Sequence, residues 1–194
     1  MLFHHWNLWQ QFCCIHHSSL HLKNEWGLCV FFNHFLNLII MAKKSFIPEG
    51  YRAIIPSLAF KGADAALKWY TNVFGATQKM RLDNADRTIM HAELNIGDSL
   101  FFIAEENPKV GNKSAKSVNG NSVQLHVYVP DVDETLKRAI QNGSTLVMAA
   151  EDQFYGDRVG SINDPFGYTW ILATHIKDVP EKEIYRQMET MSHN

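Results

Sequence analysis

The sequence predicts an α+β fold: two paired β-α-β-β-β modules forming a curved mixed sheet around a cavity. Three observations predict it. A short apolar run, a helical face and three further extended runs follow Tyr51, and the same order returns after Asn121. The punctuation repeats as well: Phe74-Gly75-Ala76 corresponds to Asn142-Gly143-Ser144, and Asn95–Leu100 to Pro165–Trp170. A polar interval without periodicity, Glu105–Asn121, separates the two copies. Each module would cover one sheet face with its helix and leave the other open until the two sheets meet. The concave space between them is the natural place for a small ligand.

The elements follow in order. Ile54–Phe60 is a short apolar strand, with Pro56 near its start or an edge because proline donates nothing to a ladder. Asp64 is the expected helix cap. Ala66, Leu67, Tyr70, Val73 and Phe74 then share one helical face, and Gly75 ends the helix. Thr77–Leu82, Thr88–Asn95 and Leu100–Ala104 are strands, joined by turns at Asp83–Arg87 and Ile96–Ser99. Glu105–Asn121 is expected as a loop, either a solvated connector or a flap. Gln124–Val129 alternates as a strand. Pro130-Asp131 starts a helix with Val132, Leu136, Ala139 and Ile140 on one face, and Asn142-Gly143 stops it. Ser144–Ala149 is a strand. Gln153–Trp170 is then a hairpin: Asp164-Pro165-Phe166-Gly167 makes the turn, and Trp170-Ile171-Leu172 is its exit strand. Val179–Met191 is expected to form a final helix, with Pro180 in its first turn.

Composition narrows the function. Lys+Arg number 18 against 20 Asp+Glu, and no basic stripe is present, so nucleic acid is not an expected partner. The three cysteines, Cys13, Cys14 and Cys29, all precede Met41, so no disulfide framework is expected in the folded part, which fits a cytoplasmic location. No glycine-rich phosphate loop opens a helix, and no nucleophilic cysteine or Ser-His-Asp arrangement is arguable.

Met1–Ile40 differs from the rest. It carries one lysine, one acid, six of the ten histidines and three of the five tryptophans. The pairs His4-His5, Cys13-Cys14 and His16-His17 lack zinc-finger spacing. Trp26–Met41 is broken by Asn33, His34 and Asn37 and is short for a membrane span. Residues 1–40 are therefore read as an unassigned extension outside the folded domain, before a natural start at Met41, and no membrane partner is expected.

Five stretches together resemble a known family: Pro56-Ser57-Leu58-Ala59-Phe60, Ala66–Ala76, Met90-His91-Ala92-Glu93-Leu94, Val129–Val132 and Gln153–Trp170. The family is the vicinal oxygen chelate (VOC) superfamily of glyoxalase and bleomycin resistance proteins, and the local match is to its PhnB-like branch. Gly156-Asp157-Arg158 with Asp164-Pro165-Phe166-Gly167 and Trp170 is a specific combination, and Tyr168 stands where the family often has histidine. The resemblance implies a VOC domain over 51–176, with modules at about 51–106 and 122–176, and a tail at 177–194. It also implies a small-molecule ligand and a homodimer, in some relatives with modules exchanged between chains. Metal-using members place ligands on the first and last strands of each module. Carried over by strand register, those positions are Pro56, Phe101, Gln124 and Ile171. A slip of one residue substitutes Leu100, His126 and Trp170. Either set is too poor in donors for a divalent ion, so no metal and no cofactor are expected.

Three groups of residues are candidates for the site. His91 and Glu93 share a strand face and are the candidate acid–base pair; the alternative is a satisfied polar patch. Gln124, His126 and Tyr128 share a face of the fifth strand and, with Phe101, are candidate substrate contacts. Tyr155 and Arg158 are candidates at the hairpin entrance, since a guanidinium holds a carboxylate or phosphate in bidentate fashion; the alternative is that Arg158 pairs with Asp157 or Asp164 and fixes the loop. The leading expectation is a small-molecule-binding protein. A metal-dependent lyase, isomerase or dioxygenase built around His91, Glu93 and Gln124 is one alternative, and a drug-sequestering protein is another.

Overall fold

The computed structural model describes residues 45–192; the readings of residues 1–40 lie outside the described residues. The first module comprises β1 (Ser57–Phe60), α1 (Ala63–Phe74), β2 (Thr77–Asp83), β3 (Ile89–Ile96) and β4 (Ser99–Glu105). A connector holds the short helix α2 (Ala115–Val118). The second module comprises β5 (Gln124–Tyr128), α3 (Val132–Gln141), β6 (Thr145–Asp152), β7 (Asp157–Asn163) and β8 (Thr169–His175), and α4 (Glu181–Ser192) follows. The strand orders are β1-β4-β3-β2 and β5-β8-β7-β6, so the predicted duplication is present in topology. In each sheet the first and last strands of the module pair in parallel, and the remaining pairs are antiparallel. The strands form two four-stranded sheets, and the sheets do not close on each other.

Helix α1 joins the halves. It buries Ala63, Ala66, Trp69, Tyr70 and Val73, and Gly75 ends it in the left-handed region at φ 67°. The Tyr70 ring meets Phe101 of its own module at 5.5 Å and Trp170 of the other at 5.4 Å. The Tyr70 hydroxyl donates to Asp164 Oδ2 at 2.6 Å, and Trp170 Nε1 donates to the same oxygen at 3.0 Å. The backbone N–H groups of Phe166 and Tyr168 donate to Asp164 Oδ1, each at 2.9 Å. Asp164 thus sits 5% exposed with four donors, three from its own hairpin and one from α1. Burial pushes its carboxyl upward and outweighs these hydrogen bonds, which pull the other way. Tyr168 adds a second pin: its hydroxyl donates to Ala59 O at 2.8 Å and accepts from Ala59 N at 3.2 Å. Trp69 Nε1 to Asn142 O and Arg138 Nε to Val73 O, both 2.9 Å, complete the seam.

Four local expectations need correction. Asp64 does not cap α1. Gly62 occupies that position, and the Glu105 carboxylate accepts from the N–H groups of Gly62 and Ala63 at 2.8 and 2.9 Å, while Asp64 pairs with Lys68 and Arg81. Ile140 is 44% exposed, and Thr135 takes the buried place on α3. The interval 105–121 is not a plain loop. Ser114 caps α2 by accepting from Ser117 N, and Ala115 buries against the turn glycine Gly167, whose hypothetical Cβ would lie 3.3 Å from it. The first strand is shorter than Ile54–Phe60: β1 begins at Ser57, and Pro56 stands at the start of this edge strand, as expected of a proline, with its carbonyl accepting from Phe102 N at 2.8 Å.

Two glycines set close approaches in the second module. A Cβ on Gly160 would lie 2.7 Å from Leu136 Cδ1, so its absence lets α3 seat on β7. A Cβ on Gly156 would lie 1.9 Å from the Lys177 carbonyl oxygen, and Gly156 has φ 101°. The chain after β8 is held there, with Ile176 N and Lys177 N both donating to Gly156 O.

Asp164→Asn sets an amide Nδ2 against Trp170 Nε1, donor to donor, and makes the Tyr70 hydroxyl turn from donor to acceptor, so it should lower unfolding free energy by about 2–4 kcal/mol in urea denaturation. A loss below about 0.5 kcal/mol, the level of an ordinary surface substitution, would show that this carboxylate does not hold the halves together.

Candidate functional site

The pairing registers identify the residues opposite the helices. Side chains alternate along each strand, and directly paired residues share a face. In the first sheet Glu93 pairs with Phe102 and Ser57 with Phe102, so the open face carries His91, Glu93, Asn95, Leu100, Phe102 and Ser57. In the second, His126 pairs with Ile171, Ile171 with Ser161 and Asp157 with His175. The open face there carries Gln124, His126, Tyr128, Asp157 and His175.

Each open face buries one carboxylate. Glu93 is 2% exposed and receives the Tyr51 hydroxyl at 2.7 and 2.9 Å, Lys79 Nζ at 3.4 Å and His91 Nε2 at 3.5 Å. Asp157 is 6% exposed; Tyr128 donates its hydroxyl to Oδ2 at 2.7 Å and His175 Nδ1 lies 2.7 Å from Oδ1. His175 Nε2 reaches Asp178 at 3.1 Å. Burial pushes Asp157 upward, yet the bonds from His175 and Tyr128 hold it below the usual carboxylate value. The same bond to Asp157, helped by Asp178, raises His175. Tyr128's own bond to Asp157, with burial and that charge, raises the phenol, which keeps its proton.

A cavity of about 540 Å³ lies between the segment Arg52–Pro56 with the β3–β4 turn on one side and β5 on the other. Ile54, Leu100, Leu125, Val127 and Trp170 give it apolar walls. Arg52, Asp98, His126 and Tyr128 supply its polar groups. The rings of His126 and Tyr128 lie 5.3 Å apart on the exposed edge strand β5. Tyr128 therefore links the cavity wall to Asp157 and, through it, to His175.

The sequence candidates divide accordingly. His126 and Tyr128 line the cavity, and Phe101 contributes to its wall with its ring against Tyr70. Gln124 is exposed at the start of β5 and is not among the cavity-lining residues. His91 and Glu93 lie together, as expected, but on the first sheet's open face and under Tyr51. Tyr155 stands close enough to Asp157 that burial and then that charge raise its hydroxyl. Arg158 is elsewhere. It faces α3, bidentate on Asp133 at 2.7 and 2.9 Å, with Asp152 at 2.7 Å, and pairs with neither Asp157 nor Asp164. Its β7 position alternates away from the open face. Tyr51, Lys79 and His175 were not among the sequence candidates. The signal available for His175 was its place on β8, level with the Asp157 that opens β7.

The carried-over metal positions do not converge. Phe101 faces α1, and Phe102 takes the open-face position in its stead. The β3–β4 turn holds two residues between the paired Ile96 and Ser99, whereas the β7–β8 turn holds five between Asn163 and Thr169. Matching Gly97 to Gly167 therefore shifts the first module by one. The correct register sets Ser57, Phe102, His126 and Ile171 on the open faces, with a single good metal donor among them. Among the described residues no group of three or more His, Cys, Asp or Glu side chains is placed to share an ion. Among them, too, no helix is long and apolar enough to cross a membrane.

Residues 56–172 match the family described as "Glyoxalase/Bleomycin resistance protein/Dioxygenase superfamily". An uncharacterised protein of Mycobacterium tuberculosis is 35% identical over 141 residues, covering 71% of this chain and 83% of that protein. The solved structure of TioX from Micromonospora sp. is similar at 28% identity and a TM-score of 0.51, over 65% of this chain and 100% of that one. An Arabidopsis thaliana structure is similar at 25% identity and a TM-score of 0.52, over 63% and 98%. A putative 3-demethylubiquinone-9 3-methyltransferase, PhnB protein, from Bacillus cereus shares the fold at 18% identity and a TM-score of 0.51, over 63% and 99%.

The His175–Asp157 clasp has a pH signature. His175 is raised from 6.5 in the fold, so its contribution is complete below about 6.5 and fades as pH rises through the raised value. Asp157 is lowered from 3.8, so its contribution holds above 3.8 and fades only in stronger acid. Melting temperatures measured from pH 5 to 8 should fall more above about pH 6.5 in the natural protein than in His175→Asn. Parallel curves would remove the clasp as a stabilising feature.

Proposed function

Because the chain belongs to the glyoxalase/bleomycin resistance protein/dioxygenase superfamily, we propose that it binds a small molecule in the cavity beside β5, in the manner of the PhnB-like branch and without a resident metal. The observation that carries this reading is Tyr128. Its proton is committed to Asp157, so its oxygen offers a ligand only acceptor capacity, at the edge of an otherwise apolar wall. Asp98 offers the same, and Arg52 supplies a cation at the rim. The fitting ligand has an apolar body, a hydrogen-bond donor directed at Tyr128 and an acidic or carbonyl group directed at Arg52. The motif Gly156-Asp157-Arg158 with Asp164-Pro165-Phe166-Gly167 supports the branch assignment.

Binding is the proposed activity. His91 and Glu93 are turned toward each other and Tyr51, away from the cavity-lining set, so they are not proposed as its acid and base. A pair of chains covering the two open sheet faces, in the cytoplasm, completes the proposal. It is supported by the exposed apolar residues Met80, Leu82 and Met148, which alternation places on those faces.

A thermal-shift panel of small aromatic and heteroaromatic acids should contain compounds that raise the melting temperature, since a ligand of the native state stabilises by mass action. Tyr128→Phe should weaken such a compound about 5-fold, the worth of one hydrogen bond, and Leu125→Trp should abolish its effect by filling the cavity. A shift that survives Leu125→Trp would place binding elsewhere.

A further inference from the structure

The open face of the first sheet carries a side-chain cluster that is not among the cavity-lining residues. Its centre is Glu93, and what fills it is the chain's own Tyr51. That residue lies before β1, and no helix or strand intervenes between residue 45 and Ser57. Gly50, at φ 76°, turns the chain just ahead of it. The phenol of Tyr51 meets the three contacts by which a protein would recognise a phenolic ligand. Its hydroxyl donates to both oxygens of a buried carboxylate, at 2.7 and 2.9 Å. A cation stands over its π face, with Lys79 Nζ 3.7 Å from the ring centroid. An aromatic side chain meets it edge-on, Phe102 at 6.3 Å, and Phe102 is itself backed by His91 at 4.8 Å.

The walls of this pocket belong to the rigid sheet, on β2, β3 and β4, whereas the occupant belongs to an irregular segment. Glu93 is pushed upward by burial, but the bonds from Tyr51, Lys79 and His91 outweigh that and keep it a carboxylate. A buried carboxylate beside an ammonium is an expensive arrangement for merely anchoring a loop. The segment beyond Tyr51 is loosely held. Arg52 and Ile54 are exposed, Ile54 by 86%, and the next backbone anchor of the chain onto the sheet is Pro56 O on Phe102 N.

We propose that the Glu93–Lys79–Phe102 pocket is a binding site for an aromatic ring bearing a hydroxyl group, that Tyr51 occupies it as an intramolecular stand-in, and that an external phenol enters by displacing the segment Gly50–Ile55. Tyr51 competes as a tethered ligand at an effective concentration of roughly millimolar, so it weakens external phenols until it is removed. The hydroxyl is the specificity element, because a ring lacking it leaves Glu93 without its short partner.

The test uses p-cresol and toluene, followed by calorimetry on the full chain. Tyr51→Ala should bind p-cresol at least 10-fold more tightly than the natural protein does, and at least 10-fold more tightly than it binds toluene. Lys79→Met in that background should weaken p-cresol. In the natural protein, saturating p-cresol should speed hydrogen exchange at residues 50–55 while β3 and β4 remain protected, a readout that holds if Tyr51→Ala fails to fold. A ligand of the β5 cavity, which Arg52 and Ile54 help to line, should slow exchange at residues 50–55 rather than speed it, so failure here and failure of the β5 cavity are told apart. Equal affinity of Tyr51→Ala for p-cresol and toluene would overturn the proposal. So would absence of p-cresol binding to both proteins, or unaltered exchange at 50–55 at saturation.

Discussion

Asp164 receives four hydrogen bonds, and the arrangement of the two halves rests on them. Three donors come from its own hairpin and shape the turn; the fourth, Tyr70, comes from the helix of the other module. A carboxylate this deeply buried is costly unless its lone pairs are satisfied, so the chain is committed to bringing Tyr70 and Trp170 to the same oxygen. That commitment places the Tyr70 ring between Phe101 and Trp170, the equivalent residues of the two modules. Trp170 in turn forms a wall of the cavity. The turn, the seam and the cavity wall are therefore consequences of one interaction.

A second constraint shapes the open faces. Each sheet buries a carboxylate on the side its helix does not cover, and each solves the same problem with a tyrosine hydroxyl and a histidine. The sources differ. Tyr51 reaches Glu93 from the segment before the first strand, whereas Tyr128 reaches Asp157 from within the second sheet, and His175 is steadied by Asp178 beyond the last strand. The duplicated architecture has thus diverged into one face whose carboxylate is capped from the segment before the first strand and one face whose tyrosine borders the cavity. An anion on an open face needs donors, and the nearest unstructured segment is a ready source of them.

Much of the topology was legible because its causes are local. Gly75 and Gly143 stop helices, Asp164-Pro165-Phe166-Gly167 turns a hairpin, and the apolar faces of α1 and the strands recur at periods that the backbone dictates. The same local logic located His126 and Tyr128 on a shared face. It erred where two turns of unequal length carried the same glycine: the two-residue turn at Gly97-Asp98 and the five-residue turn at 164–168 flip Phe101 relative to Ile171. It also erred with Arg158, whose charge attracted a functional reading, because the salt bridge to Asp133 depends on where α3 lands on β7.

The amino-acid sequence by itself determined the repeated βαβββ pattern and the superfamily, since both lie in residue type and short-range spacing. Only the tertiary structure decided which strand faces stay open, which carboxylates are buried there and which hydroxyls satisfy them. Those partners are separated by 42 residues for Tyr51 and Glu93 and by 29 for Tyr128 and Asp157. No periodicity spans such distances; the pairings exist because the sheet registers and the seam around Asp164 bring them within reach.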